Sequence, residues 1–87
     1  MKRWSIIFKA LSNINRLKII KMLENGKRKN VGEISKELRI SLTATSNHLI
    51  ILQKLEVLED EGTSGHVFYE LNSEMPIDFA RILSQLK

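Results

Sequence analysis

The sequence predicts a mainly α-helical domain with about five helices and one small two-stranded antiparallel hairpin. Three observations carry that expectation. Apolar side chains recur at helical spacing in five segments. The period falls to two between Val57 and Leu71, on either side of a glycine-bounded turn. Residues suited to helix ends stand at the boundaries between segments. At 87 residues the chain reads as one domain, of a size at which a single core gives modest stability, so surplus apolar stripes at its ends favour pairing with a second copy.

Trp4, Ile7, Phe8 and Leu11 place an amphipathic helix over residues 3–11. Asn13 suits the cap of a second helix, with Ile14, Leu17, Ile20, Met22 and Leu23 as its inner stripe and Asn25-Gly26 as its stop. Arg16, Lys18 and Lys21 fall on or beside the wet face of that helix. After the basic turn Lys27-Arg28-Lys29, Asn30 caps a short third helix bearing Val31, Ile34, Ser35 and Leu38, and Glu33 stands where a capping box needs it. Ser41 caps a fourth helix over residues 42–55, with Thr45, Leu49 and Leu52 turned inward together with Ala44, Ile51 and Leu55. The hairpin runs from Val57 to Glu61, turns through Gly62-Thr63-Ser64-Gly65 and returns from His66 to Leu71. Pro76 then suits the first turn of a last helix over residues 76–86, with Phe79, Ile82, Leu83 and Leu86 on one stripe. Two short helices joined by a tight turn and followed by a hairpin make a winged helix-turn-helix, one domain over residues 1–87, with the fourth helix as the reader.

Charge is unevenly spread along the chain. Residues 1–54 carry twelve basic and three acidic side chains, and residues 55–87 carry two and seven, within a net charge of +4. The basic half suits a polyanion partner. With no cysteine, disulfides, thiolate metal sites and thiol redox chemistry are excluded. No apolar run approaches the roughly 20 residues that span a bilayer, so no membrane partner is expected and the setting is read as cytoplasmic. No nucleophile has a base at hand and no glycine-rich phosphate loop exists, which argues against an enzyme.

Three stretches resemble the ArsR family of winged-helix regulators: Phe8-Lys9-Ala10-Leu11-Ser12 with Asn13 to Ile20, Val31 to Leu38, and Ser41 to Leu52. The resemblance implies a dimeric transcriptional regulator, acting as a repressor, whose fourth helix enters DNA. Ile14 and Asn15 stand where the family usually has proline and threonine. Many members sense metals through cysteines on the third helix or Asp, His and Glu on the last. Here the third helix has Ser35, Asp78 stands alone on the last, and His48 and His66 lie on different elements, so neither a metal nor any other cofactor is expected. Family wings usually carry cations. Residues 55–75 hold none, and Glu59, Asp60 and Glu61 lead into the turn. Either this wing stands off DNA, touching it only through Thr63, Ser64 and His66, or it faces a protein partner.

Within that reading Leu42, Thr43, Ser46, Asn47 and Ile50 are the candidate base-reading residues. Asn47 leads, because a side-chain amide pairs bidentately with adenine, while Leu42 and Ile50 suit thymine methyls. The competing reading is a merely solvated helix face, which would ordinarily be richer in lysine and glutamate. Lys27, Arg28, Lys29, Lys36, Arg39, Ser41 and His48 are the candidate phosphate contacts, with anchoring of the helix as the other role for His48. Trp4, Ile7, Phe8 and Leu11 with Phe79, Ile82, Leu83 and Leu86 form the expected homodimer interface. A two-fold dimer places two readers about one DNA turn apart and so predicts an inverted-repeat double-stranded operator. The alternative function is a protein-interaction module that recruits a partner through the acidic hairpin, with DNA contact secondary.

Overall fold

A computed structural model of the chain describes residues 2–63 and 66–85, with the side chains of residues 2–4, 63 and 66 outside that description. The order is α1 (Lys2–Leu11), α2 (Ile14–Met22), α3 (Val31–Leu38), α4 (Leu42–Lys54), β1 (Leu58–Thr63), β2 (His66–Leu71) and α5 (Ile77–Gln85). The winged helix-turn-helix expected from the pattern is the fold observed. No described helix is long and apolar enough to cross a membrane.

The predicted caps form. Asn13 accepts from the backbone N–H groups of Asn15 and Arg16. Asn30 and Glu33 make the reciprocal capping box of α3, and Ser41 accepts from the Ala44 N–H at 3.0 Å. Each bond satisfies a helix-terminal donor that would otherwise lack a partner. α2 is shorter than its apolar pattern suggests. Leu23 caps it, and Asn25 and Gly26, both at positive φ (64° and 74°), turn the chain away.

All five helices and the hairpin base supply the core. Its buried members are Ile7, Ala10 and Leu11 of α1, Ile19, Ile20 and Leu23 around α2, Ile34 of α3, Leu49 and Leu52 of α4, Val57 and Leu58, and Phe79 of α5. The inner arc of α2 is rotated from the expected stripe: Ile19 is fully buried, whereas Ile14 is 63% exposed. On α4 the buried line is Thr45, Leu49 and Leu52, spaced i, i+4 and i+7, which leaves Ile51 off that line and outward. Ile51 is therefore not a core residue.

The expected dimer surface requires the same kind of correction. Ile7, Leu11 and Phe79 are buried within this one chain, so they are not available to a second copy. Phe8 is exposed, and Ile82 and Leu83 are half-buried against the core. The Trp4 side chain and Leu86 lie outside the described residues.

β1 and β2 pair antiparallel from Leu58↔Leu71 to Thr63↔His66. Pairing thus continues through Gly62 and Thr63, which the sequence pattern placed in a four-residue turn. A third segment joins the hairpin at Lys29, whose N–H donates to the Tyr69 carbonyl at 3.1 Å while the Tyr69 N–H donates back at 2.8 Å. At the open end, Asn72 donates its backbone N–H to the Val57 carbonyl and its side-chain amide to the Glu56 carbonyl. The base of the wing is therefore tied to the helical body along β2 and just after it, through Tyr69 and Asn72.

Phe79 is fully buried, and Phe79→Ala is expected to lower unfolding stability by about 3–5 kcal/mol, as aromatic deletions in cores do. Urea denaturation checks this. A loss below about 1 kcal/mol would mean that α5 contributes little to the fold.

Candidate nucleic-acid interface

α4 is seated through one buried side. Thr45 has no exposed surface, and its hydroxyl donates to the Ser41 carbonyl at 2.8 Å, so burying this polar group leaves no unmet hydrogen bond. No buried side-chain polar atom among the described residues lacks a partner. The link from α3 is compact. Arg39 takes the left-handed conformation (φ 59°, ψ 42°), and the Ile40 N–H donates to the Ser35 carbonyl. Ser35 is itself buried and donates to the Gly32 carbonyl at 3.0 Å.

With Thr45, Leu49 and Leu52 inward, the opposite side of α4 presents Thr43, Asn47 and Ile50, while Leu42, in line with Thr45 and Leu49, is exposed at the first turn of the helix. Ser46 lies at the edge of this side, half-buried. Of the five candidate base-reading residues, Thr43, Asn47 and Ile50 thus share one outward sector, Ser46 borders it and Leu42 lies off it, exposed at the helix start. The sector contains no charged side chain before Lys54.

The candidate phosphate contacts divide into two groups. Lys27, Lys36 and Arg39 are exposed and take part in no described ion pair. Ser41 is committed to its cap. Arg28 and Lys29 are committed to carboxylates: Arg28 bridges Glu61 and Glu70 on the hairpin, with Nε 3.1 Å from Glu70 Oε2, and Lys29 Nζ lies 2.6 Å from Glu37 Oε1. The hydrogen bond to Glu37 raises the Lys29 pKa above its ordinary value. A phosphate contact by either side chain must displace a carboxylate. The arrangement also answers an electrostatic problem within the wing, where Glu59 stands directly opposite Glu70 and like charges in that position are destabilising. Of the wing candidates, Thr63 and His66 are paired in register, while their side chains and Ser64 lie outside the described residues.

Arg16, assigned by sequence to the wet face of α2, is a structural tie. Its Nε donates to the Ala10 carbonyl at 2.7 Å and one terminal nitrogen donates to the Lys9 carbonyl at 3.1 Å, closing the C-terminus of α1. The other terminal nitrogen lies 3.3 Å from Nδ1 of His48. Since the guanidinium has only donors, Nδ1 accepts and the histidine proton sits on Nε2. His48 is thus half-buried and engaged in anchoring α4. No local signal marks this pair, because its members stand 32 residues apart. Among the described residues no group of three His, Asp or Glu side chains converges as a metal site.

Burial first, and the Arg16 charge second, hold the His48 pKa below its ordinary value of 6.5. The unfolded chain then binds more protons than the folded one between that lowered value and 6.5. The contribution to stability is therefore complete above 6.5 and is lost as the pH falls through the window. Urea midpoints measured from about pH 7.5 down to about pH 5 should fall with acid, and His48→Gln should remove part of that slope. Identical slopes for the two proteins would mean that His48 titrates as it does unfolded.

Comparison with known proteins fits this geometry. The family model described as "Bacterial regulatory protein, arsR family" matches residues 13–60, from the cap of α2 into β1. The transcriptional repressor SdpR of Bacillus subtilis is 36% identical over 67 residues, covering 77% of this chain and 73% of that one. The transcriptional activator HlyU of Vibrio cholerae is 35% identical over 68 residues, covering 78% of this chain and 62% of that one. A solved structure of the Vibrio cholerae HlyU covers 98% of this chain and 88% of its own, with 29% identity and a TM-score of 0.80. The homodimeric winged helix-turn-helix DNA-binding domain of a Mycobacterium bovis protein covers 98% of this chain and 75% of its own, with 25% identity and a TM-score of 0.78. The chain belongs to the ArsR family of bacterial regulatory proteins.

Proposed function

We propose that this chain is a homodimeric, cytoplasmic transcription regulator that lays α4 in the major groove of an inverted-repeat operator and represses by occupying promoter DNA. The observation that carries the reading is the outward sector of α4: an uncharged row of Thr43, Asn47 and Ile50, with Leu42 exposed at the helix start and Lys36 and Arg39, exposed and in no described ion pair, just before its N-terminus. Base edges are read by side chains that donate, accept or touch methyl groups, and phosphates are gripped by cations beside them. In this reading Asn47 specifies a base, while Lys27, Lys36 and Arg39 grip the backbone.

A second copy pairs through the outer faces of α1 and α5, where Phe8 and Ile77 are 60% and 69% exposed and Ile82 and Leu83 are half-buried. The homodimeric Mycobacterium bovis domain supports this assembly. Repression is the role named for SdpR; because HlyU is named an activator, the sign of regulation depends on where the operator lies. The named relatives are regulators, and the reading assigns no catalytic step to this chain.

Selection of duplex DNA from a random pool should enrich an inverted repeat with half-site centres about 10 bp apart. Asn47→Ala should then relax preference at one position per half-site by about 1–3 kcal/mol, while Lys36→Ala weakens all sequences and lowers the salt slope by about one. Uniform loss in both variants would refute the division between reader and grip.

The pairing of Arg28 with Glu61 and Glu70 favours a wing held off the phosphates. The double variant Glu61→Gln/Glu70→Gln frees Arg28 and should raise non-specific DNA affinity and steepen the salt slope by about one. An unchanged slope places the wing too far from DNA for Arg28 to reach it. The second reading, recruitment of a basic protein by the hairpin, draws on Glu59 and Asp60, which are exposed and in no described ion pair. It takes precedence if the random pool yields no enrichment.

A further inference from the structure

α1 and the C-terminal half of α4 border a shallow groove of about 260 Å³. That is a little below the roughly 300 Å³ at which ligand clefts usually begin, so it suits a short chain or a single ring. The apolar lining includes Ile6 and Ile51, 44% and 39% exposed, with Leu55 beside them. The polar lining is cationic. Lys9 on α1, Arg16 on α2 and Lys54 at the end of α4 border the groove, and no carboxylate does so among the described residues. The described ion pairs engage Arg28 and Lys29 and none of these three. Arg16 also keeps donors to spare. After its bonds to Ala10, Lys9 and His48, one N–H is left on each terminal nitrogen.

An apolar surface bounded by cations alone matches one kind of occupant. We propose that the groove binds a small amphipathic carboxylate, such as a short fatty acid or an aryl acid, with its hydrocarbon on Ile6, Ile51 and Leu55 and its carboxylate toward Arg16, Lys9 and Lys54. A two-fold contact centred here would set the cationic rim against its own copy, which disfavours a second chain as the occupant. Charge-assisted bonding to the guanidinium and ammonium groups supplies orientation, and the exposed isoleucines supply the apolar contact. The site reaches the reading helix by two routes: Ile51 and Lys54 lie on α4, and the Arg16 that faces the ligand also holds His48. That effect on DNA rests on the function proposed above; the binding itself does not.

Titration of the isotope-labelled full chain with octanoate, followed by backbone and isoleucine-methyl NMR, tests the binding without DNA. Octanol serves as the uncharged probe and phosphatidylglycerol vesicles as a third arm. The expected result is saturable shifts around Ile6, Ile51 and Lys54, with octanoate about tenfold tighter than octanol. Lys54→Glu, on the exposed end of α4, should weaken octanoate several-fold and leave octanol unchanged, and Ile51→Glu should abolish both. Equal affinity for octanol, shifts centred elsewhere, binding to vesicles alone, or no octanoate shift together with loss of the dimer in Ile51→Glu would each overturn the proposal, the last by assigning the groove to a second copy. In the presence of operator DNA, octanoate should change the affinity of the native chain, and Lys54→Glu should need several-fold more octanoate for the same change. If no DNA binds under any condition, the function proposed above fails while the octanoate titration still decides the site.

Discussion

One guanidinium fixes how the reading helix meets the rest of the molecule. Arg16 closes the end of α1 through the Lys9 and Ala10 carbonyls and holds His48 of α4 through its other terminal nitrogen. Apolar contacts alone would seat α4 through Leu49 and Leu52 but are not directional. Hydrogen bonds are, and those of Arg16 join three helices that pack on the same core. The outward sector of α4 is defined by what this seat leaves uncovered. The histidine must stay neutral to accept from the arginine, and its burial first, with the Arg16 charge second, depresses its pKa in the direction that this geometry requires.

A second constraint is the balance of charge around the hairpin. The acidic strand looks unsuited to a DNA-binding wing when it is read alone, and its compensation lies in the turn before α3. Arg28 spans carboxylates on both strands, and the adjacent Lys29 completes a short backbone pairing with Tyr69. The basic turn therefore anchors the wing before it offers charge to any partner. Of the candidate phosphate contacts, the exposed cations left in no described ion pair are Lys27, Lys36 and Arg39.

Local chemistry was legible in the sequence, and long-range pairing was not. Asn13, Asn30 and Ser41 announced their caps because the side chain and the N–H groups it satisfies lie within three residues. The outward row of Thr43, Asn47 and Ile50 followed from helical spacing. The inner arc of α2 was misjudged, since apolar residues occupy nearly every angle from Ile14 to Leu23 and only packing selects Ile19 over Ile14. The terminal stripes were read as surface awaiting a partner. In fact Ile7, Leu11 and Phe79 complete a core that is too small without them. The partners of Arg16 and Arg28 come from distant segments, which no periodicity reveals.

The link between α3 and α4 carries a compromise. Arg39 occupies the left-handed region, where a residue with a β-carbon sits at a cost of about 1 kcal/mol and glycine sits freely. Glycine there would relax the backbone and remove an exposed cation just before the reading helix. Asparagine would ease the strain in part and also carry no charge. The chain keeps a strained backbone at the joint where its two helices meet, and it keeps a positive charge there. A gain in folding stability at this position therefore comes at the expense of attraction to polyanions.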